Sequence, residues 1–327
     1  MLSIHIHDII LSMNYIVFDL EWNQSAKGKN CEVPGLPFEI IEIGAVKLNS
    51  KREITDKFHC LVKPVVYRKL HFMTKEIVRV TEEDLSHGRS FPKAVRSFLN
   101  WAGSEAIFAT WGQSDLTELQ RNMKYHKVLG LLKGPLYFYD VQKLFAINYE
   151  VSKVQRSLEY GIDYLKLDKR YEFHQALSDA CYTAEILQKI DMEVINANES
   201  INVYQNPKSK AEEIHAVYNG YSRYISREFS SKEEALADKE VTSTQCCRCE
   251  KIARKKIRWF SVNAKNYYCE AICPTHGYVK GKIRIKKTDE GRYFVIKTIK
   301  VSSESEMLDI KKRKESLTAR RREKRHS

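Results

Sequence analysis

Two acidic residues two positions apart offer the first chemistry in this chain. Phe18-Asp19-Leu20-Glu21 sets carboxylates at i and i+2, at the end of the apolar run Tyr15-Ile16-Val17-Phe18. On a strand, alternation puts both on one face. Two like charges held there are costly unless a cation neutralises them. An all-oxygen donor set favours Mg²⁺ or Mn²⁺ over Zn²⁺. Taken alone, such a pair is weak evidence, because most are simply two solvated side chains. Two later segments add acids. Phe108-Ala109-Thr110-Trp111-Gly112-Gln113-Ser114-Asp115 reads as a strand, a glycine turn and an acid at a helix start. His174-Gln175-Ala176-Leu177-Ser178-Asp179 sets a histidine five residues before another such acid. Each of these also reads as a helix cap, at Ser114 or Asp115 and at Ser178.

A second cluster has different chemistry. Cys246-x2-Cys249 and Cys273-x2-His276 stand 23 residues apart and match a four-ligand structural Zn²⁺ site. Pro274 and Gly277 suit a tight knuckle, so the segment looks like a zinc ribbon. Cys247 and Cys269 are spare thiols, and either could replace a named ligand. Reduced thiols in a small core are the other reading. A module this small has difficulty burying enough apolar surface without such a staple. Cys31, Cys60 and Cys181 are isolated and read as buried thiols.

The elements that must carry these residues are legible in outline. Strands are predicted at Tyr15–Phe18, Glu39–Leu48 and Asp56–Val62, close enough for an antiparallel meander. A helix opens at Ser90-Phe91-Pro92 and runs through Trp101. A short strand at Ala106–Thr110, a helix at Leu116–Tyr125 and a strand at Leu136–Asp140 follow. Ser178–Ile195 reads as a helix with Ala180, Ala184 and Leu187 on one face. Strands followed by alternating helices indicate an α/β domain with a mixed sheet. The predicted layout is an N-terminal extension over 1–12, with Met1 or Met13 as the start, and an α/β domain over 13–200. A helical, polar linker follows over 201–240, then a small β-rich zinc-binding module over 241–301. A basic tail over 302–327 is expected to fray.

Charge divides the chain the same way. The 327 residues carry 55 Lys+Arg and 42 Asp+Glu, a formal net charge of +13. Residues 1–200 hold 25 basic and 26 acidic side chains, whereas 201–327 hold 30 and 16, a net of +14. A cationic module on a near-neutral domain implies a polyanionic partner. Around the cysteines, Arg254–Phe260, Tyr267-Tyr268 and Lys280–Lys287 interleave basic and aromatic residues, as single-stranded nucleic-acid surfaces do. Solvent-facing strands would alternate in the same manner. No run of about 18 apolar residues exists to span a membrane. The first residues lack the basic flank of a secretory signal. A cytoplasmic location with reduced cysteines is therefore expected.

Taken together and in order, the carboxylate segments resemble the three motifs of the DnaQ-like DEDDh 3′–5′ exonucleases, across roughly Asn14 to Ile195. Phe18-Asp19-Leu20-Glu21 resembles the first motif, Asp115 the acid of the second, and His174 with Asp179 the third. Glu42-Ile43-Gly44-Ala45 is similar to the family's second strand. Phe18–Asn23 and Thr110-Trp111-Gly112 are most similar to the branch of histone-mRNA and siRNA exonucleases and KapD. The Thr-Gly-Ile-Thr segment usual after the third strand has no clear copy here. The resemblance implies an RNase H-like mixed sheet flanked by helices. It implies two Mg²⁺ or Mn²⁺ ions held by Asp19, Glu21, Asp115 and Asp179, with Glu21 also near the attacking water and His174 as general base. Together with one structural Zn²⁺, these are the expected cofactors. The implied activity is two-metal, 3′–5′ hydrolysis of single-stranded nucleic acid, RNA favoured over DNA, to nucleoside 5′-monophosphates. Trp22 and Trp111 could stack on the last base or simply pack the core. The alternative is a non-catalytic nucleic-acid-binding or regulatory protein on an exonuclease fold.

Overall fold

The apolar run that opens the chain forms a longer strand than its four core residues suggest. In the structure, a computed structural model that describes residues 14–150 and 154–326, β1 spans Asn14–Gln24. The predicted 1–12 extension lies outside the described residues. β2 (Phe38–Leu48), β3 (Ile54–Leu61), β4 (Ala106–Thr110), β5 (Leu136–Asp140) and β6 (Ser200–Asn202) complete a six-stranded sheet of order β3-β2-β1-β4-β5-β6. β1 is antiparallel to β2 and parallel to β4, so the sheet is mixed.

Alternation along β1 feeds two cores. Ile16, Phe18 and Leu20 pack on one face with Phe91, Val95, Phe98, Leu116 and Leu119. These come from the helices Phe91–Ala102, with Pro92 in its first turn, and Ser114–Tyr125. Val17 faces the other way, toward Ala180, Ala184 and Leu187 of the helix Ala176–Lys189. Those three were the predicted face, and all are fully buried. That helix is shorter than predicted. Ile190 and Asp191 are extended, and a separate helix, Met192–Ala197, follows. The Arg52 guanidinium takes the carbonyls of Leu187 and Ile190 at 2.7 and 2.6 Å, satisfying helix-end acceptors that the sequence pattern left open.

The chain divides into Met1–Gln205 and Asn206–Ser327. Inside the second unit lies a correction: the stretch predicted as a helical linker over 201–240 contains two strands. β7 (Ile214–Tyr218) and β8 (Tyr221–Ile225) join through the turn Asn219-Gly220, where Gly220 takes φ 92°. An Asn-Gly pair between two such runs is a hairpin signal, and it outweighs the segment's polar character. β9 (Arg254–Ser261), β10 (Asn266–Cys273), β11 (Gly277–Lys287) and β12 (Tyr293–Val301) complete an antiparallel sheet of order β7-β8-β12-β11-β10-β9. The β-rich module therefore reaches well before residue 241. Of the expected linker, Lys232–Ala237 and the start of Lys239–Thr242 are α-helical, beside a single 3₁₀ turn at Lys210–Glu212. The basic tail is also different from expectation. It forms the helix Glu304–His326, whose Met307 and Ile310 bury against Ile257, Phe260 and Tyr278. Among the described residues, no helix is long and apolar enough to cross a membrane.

Candidate active site and a cysteine–histidine centre

β1 carries Asp19 and Glu21 beyond the end of its parallel neighbour. β4 pairs with β1 only as far as Val17 opposite Ala109. The Leu20 amide, left without a β4 partner, donates instead to Asp115 Oδ1 at 3.3 Å. Asp115 sits in the first turn of Ser114–Tyr125, in the layer on the other face of the sheet. On the β2 side, the register sets Asp19 opposite Gly44 and Glu21 opposite Glu42, and a bulge after Glu21 ends the regular ladder. Gly44 decides what can lie above the pair. A Cβ there would stand 2.0 Å from Leu177 N and 2.1 Å from Ala176 C. Without one, the start of the helix Ala176–Lys189 rests directly on β2 and brings Asp179 onto the carboxylate pair.

One oxygen each from Asp19, Glu21 and Asp179 lies within 4.8 Å of the others. Asp115 is outside that trio and meets it through the Leu20 amide. Asp179 Oδ2 accepts from the His174 backbone amide at 3.2 Å, while its buried Oδ1 has no hydrogen-bond partner. His174 is exposed and holds φ 61°, a left-handed conformation that a non-glycine residue adopts at some cost.

The electrostatics match this crowding. Burial first, then the charges of Asp115, Glu21, Asp179 and Glu42, pushes Asp19 well above the usual carboxylate range. Burial and the charges of Asp179, Glu42 and Asp115 push Glu21 up to about 8. Burial raises Asp115 to about 7, against the opposing pull of backbone amides. It raises Asp179 to about 6, against the His174 amide and charge. Ionising the whole group at neutral pH is costly without a cation to neutralise it. The all-oxygen donors and the orphaned Asp179 Oδ1 fit a hard divalent ion.

The sequence profile of the Exonuclease (RNase_T) family matches residues 16–187, just over half of the chain and the whole span of this site. The chain belongs to the Exonuclease family. A PolC-type DNA polymerase III of Thermotoga petrophila is 32% identical over 149 residues, 45% of this chain and 10% of that protein. The probable 3′-5′ exonuclease KapD of Bacillus subtilis is 29% identical over 100 residues, 30% of this chain and 48% of KapD. This chain thus spans about a tenth of the one relative and about half of the other. The crystal structure of the nuclease domain of 3′hExo, a DEDDh family member bound to rAMP, superposes with a TM-score of 0.50 at 19% identity. That match covers 58% of this chain and 96% of the nuclease domain. The first unit has the RNase H-like exonuclease fold of these DEDDh enzymes.

Two participants in this exonuclease domain escaped the sequence reading. Glu42 is buried opposite Glu21, with Oε1 2.9 Å from His59 Nε2 and Oε2 unpartnered. Its hydrogen bond raises the His59 pKa. Gly44 was noted only as part of a strand. The signal for both was the spacing Glu42-x-Gly44, which has meaning only once β2 is aligned with β1. The tryptophans do packing work. Trp111 packs on Phe145, and its Nε1 donates to the Arg156 carbonyl at 3.1 Å. Trp22 lies against Phe38.

Outside the matched span, two turns of the second unit gather the cysteine–histidine cluster. A bridge between Gln245 and Ile252, with Cys246 N donating to Lys251 O at 2.9 Å, closes the first. The second is the β10–β11 turn, where Cys273 pairs with Gly277. Ligand atoms of Cys246, Cys249, Cys273 and His276 lie within 4.8 Å of one another. Edges of this cluster measure 3.6 Å for Cys246 Sγ to His276 Nδ1, 3.5 Å for Cys249 Sγ to Cys273 Sγ, and 3.8 Å for Cys273 Sγ to His276 Nδ1. Zinc bonds of about 2.0–2.3 Å give a tetrahedron edges of about 3.3–3.8 Å. The pocket has that size. Burial works against ionising Cys273, but amides of Thr275 and His276 and the His276 ring bring it down to about 6. Cys247 and Cys269 are buried outside the four. Cys60 and Cys181 are buried as expected, whereas Cys31 is exposed, on a short 3₁₀ turn with no buried residue.

Proposed function

We propose that this chain is a metal-dependent 3′–5′ exonuclease. It acts on single-stranded nucleic acid, RNA in preference to DNA, and releases nucleoside 5′-monophosphates. The observation that carries this reading is the trio Asp19, Glu21 and Asp179, gathered within 4.8 Å at raised pKa with a buried Asp179 oxygen left unsatisfied. Membership in the Exonuclease family and the relation to KapD, named a probable 3′-5′ exonuclease, support it. The preference for RNA rests on the local similarity of Phe18–Asn23 and Thr110-Trp111-Gly112 to the RNA-degrading branch.

Asp19, Glu21, Asp115 and Asp179 would hold two Mg²⁺ or Mn²⁺ ions, which supply a Lewis acid for the leaving oxygen and an acidified water. His174, exposed beside Asp179, takes the proton of the attacking water as general base. The bond from its backbone amide to Asp179 sets the His174 backbone beside that carboxylate. Glu21 lies beside that water. Glu42, held by His59, lies opposite Glu21 on the neighbouring strand. In the second unit, one Zn²⁺ on Cys246, Cys249, Cys273 and His276 acts as a structural staple. Eight unpaired thiols suit a reducing cytoplasm.

The test is digestion of matched single-stranded RNA and DNA oligomers carrying a 5′ label, with Mn²⁺, with Mg²⁺ and with EDTA. The expected result is stepwise shortening from the 3′ end with mononucleotide release, faster on RNA, and none in EDTA. Metal analysis should return about one zinc per chain. Tight binding without hydrolysis would favour the non-catalytic reading.

A further inference from the structure

The helix Glu304–His326 does more than cover an apolar patch. Met307 and Ile310 fasten its first turns to the sheet, and Arg313 lies over the Tyr268 ring at 5.4 Å. Beyond that anchor, Lys311, Lys314, Glu315 and Arg322 fall on one side of the helix, at the spacing of a single face. They face Lys256 of β9 and Glu270 of β10 across a groove of about 590 Å³. The groove thus holds four cations against two carboxylates. All four cations are exposed, and among the described residues none of them is in an ion pair. Lys311 and Lys314, three residues apart on this face, repel each other, while Glu315 stands four residues after Lys311 and Glu270 feels both Lys311 and Lys256. Three cations on the helix, with Lys256 as the fourth on the strand opposite, outnumber Glu270 and Glu315 and leave a slot that a polyanion would stabilise.

We propose that this groove, between the C-terminal helix and the β9–β10 edge, binds the phosphodiester backbone of a single-stranded nucleic acid. The proposal deepens the exonuclease reading and rests on it for the identity of the polyanion. Phosphates spaced along one strand can contact Lys256, Lys311, Lys314 and Arg322 in turn. One flexible backbone is the occupant proposed for this cleft between helix and sheet. Tyr268, held between Lys282 at 5.9 Å and Arg313, keeps the helix in position.

The experiment uses the full chain in EDTA, where hydrolysis is off, and a 5′-labelled RNA strand whose binding is followed by anisotropy across a salt series. Each lost phosphate contact should flatten the plot of log K against log salt by about 0.7, so removing four should flatten it by about 2.8. The variant Lys256→Ala/Lys311→Ala/Lys314→Ala/Arg322→Ala should show that change and bind at least about tenfold more weakly near physiological salt. A control, Lys239→Ala/Arg248→Ala/Lys251→Ala/Lys265→Ala, removes equal charge elsewhere in the unit and should move the slope much less. Zinc content and melting temperature establish that both variants are folded. An unaltered slope in the groove variant, or an equal change in the control, overturns the proposal. So does a duplex that binds as well as the strand and loses as much. Because binding is read without divalent metal, the groove can fail while hydrolysis stands, and hydrolysis can fail while the groove stands.

Discussion

The carboxylate cage and the cysteine–histidine cluster are both gathered ligand sets, yet the chain builds them by opposite means. The cysteine–histidine set comes from two tight turns, each of which supplies a ligand pair three residues apart. Local turn geometry does most of the work. The carboxylates come from a strand end and two helix starts, separated by up to 160 positions. They meet because β4 stops at Thr110, because Gly44 has no side chain, and because Asp19 and Glu21 share a face. Their electrostatics differ too. Cys273 is held down near 6, ready to ligate as a thiolate, whereas the acids are forced upward by burial first and then by one another. A turn-built site can keep its shape by itself. A sheet-built site of like charges opposes its own assembly and depends on the surrounding fold to hold it.

The sharpest break is Asp19→Asn. Hydrolysis should fall to background, while the melting temperature in EDTA should hold or rise, because one mutually repelling charge has gone. Full activity in this folded variant would remove the cage from the mechanism. His174→Ala comes next. Turnover should drop by about 10²–10⁴-fold with oligonucleotide affinity retained, and part of the rate should return at higher pH, where hydroxide is more abundant. Wild-type turnover would leave His174 as a surface residue.

The third test sets one glycine against another. In Gly44→Ala, the new Cβ meets backbone of the helix Ala176–Lys189, which cannot swing aside. A loss of about 3 kcal/mol, with activity lost alongside, is expected from denaturant unfolding. In Gly281→Ala, the new Cβ meets side-chain atoms of Cys269 and Trp259 rather than backbone, in a unit that holds no cage residue. The cost should be smaller and activity should persist. Equal effects would mean that close helix-on-sheet contact is not what assembles the site.

The mildest effect concerns pH. The cage acids have folded-state pKa values raised above the unfolded range near 4, so ionisation opposes folding. In metal-free protein their penalty is absent below about pH 4 and grows as pH rises toward 8, where Glu21 also ionises. Added Mn²⁺ should therefore raise the melting temperature more at pH 8 than at pH 5. The reverse order would indicate that the acids are already neutralised within the protein.

Much of this was readable in the chain itself. Asp19, Glu21, Asp115, His174 and Asp179 stood out because metal-assisted hydrolysis demands those residue types and because each sits beside a local signal of strand end or helix start. The cysteine–histidine set stood out because ligand spacing in a knuckle is a property of a few consecutive residues. Strand β1 and the buried face Ala180, Ala184 and Leu187 followed from periodicity, which is equally local. Tertiary structure decided the rest. Glu42 joined the cage only through its register with Glu21. Gly44 mattered only once a helix lay on it. The hairpin Ile214–Ile225 was hidden by its polarity, and its strands were settled by pairing with β12. The tail became a helix because Met307 and Ile310 found an apolar seat on Ile257, Phe260 and Tyr278. Residue type and short spacing specify what chemistry is possible. Which distant residues share that chemistry depends on register and close contact, and those exist only when the sheet and its helices have packed.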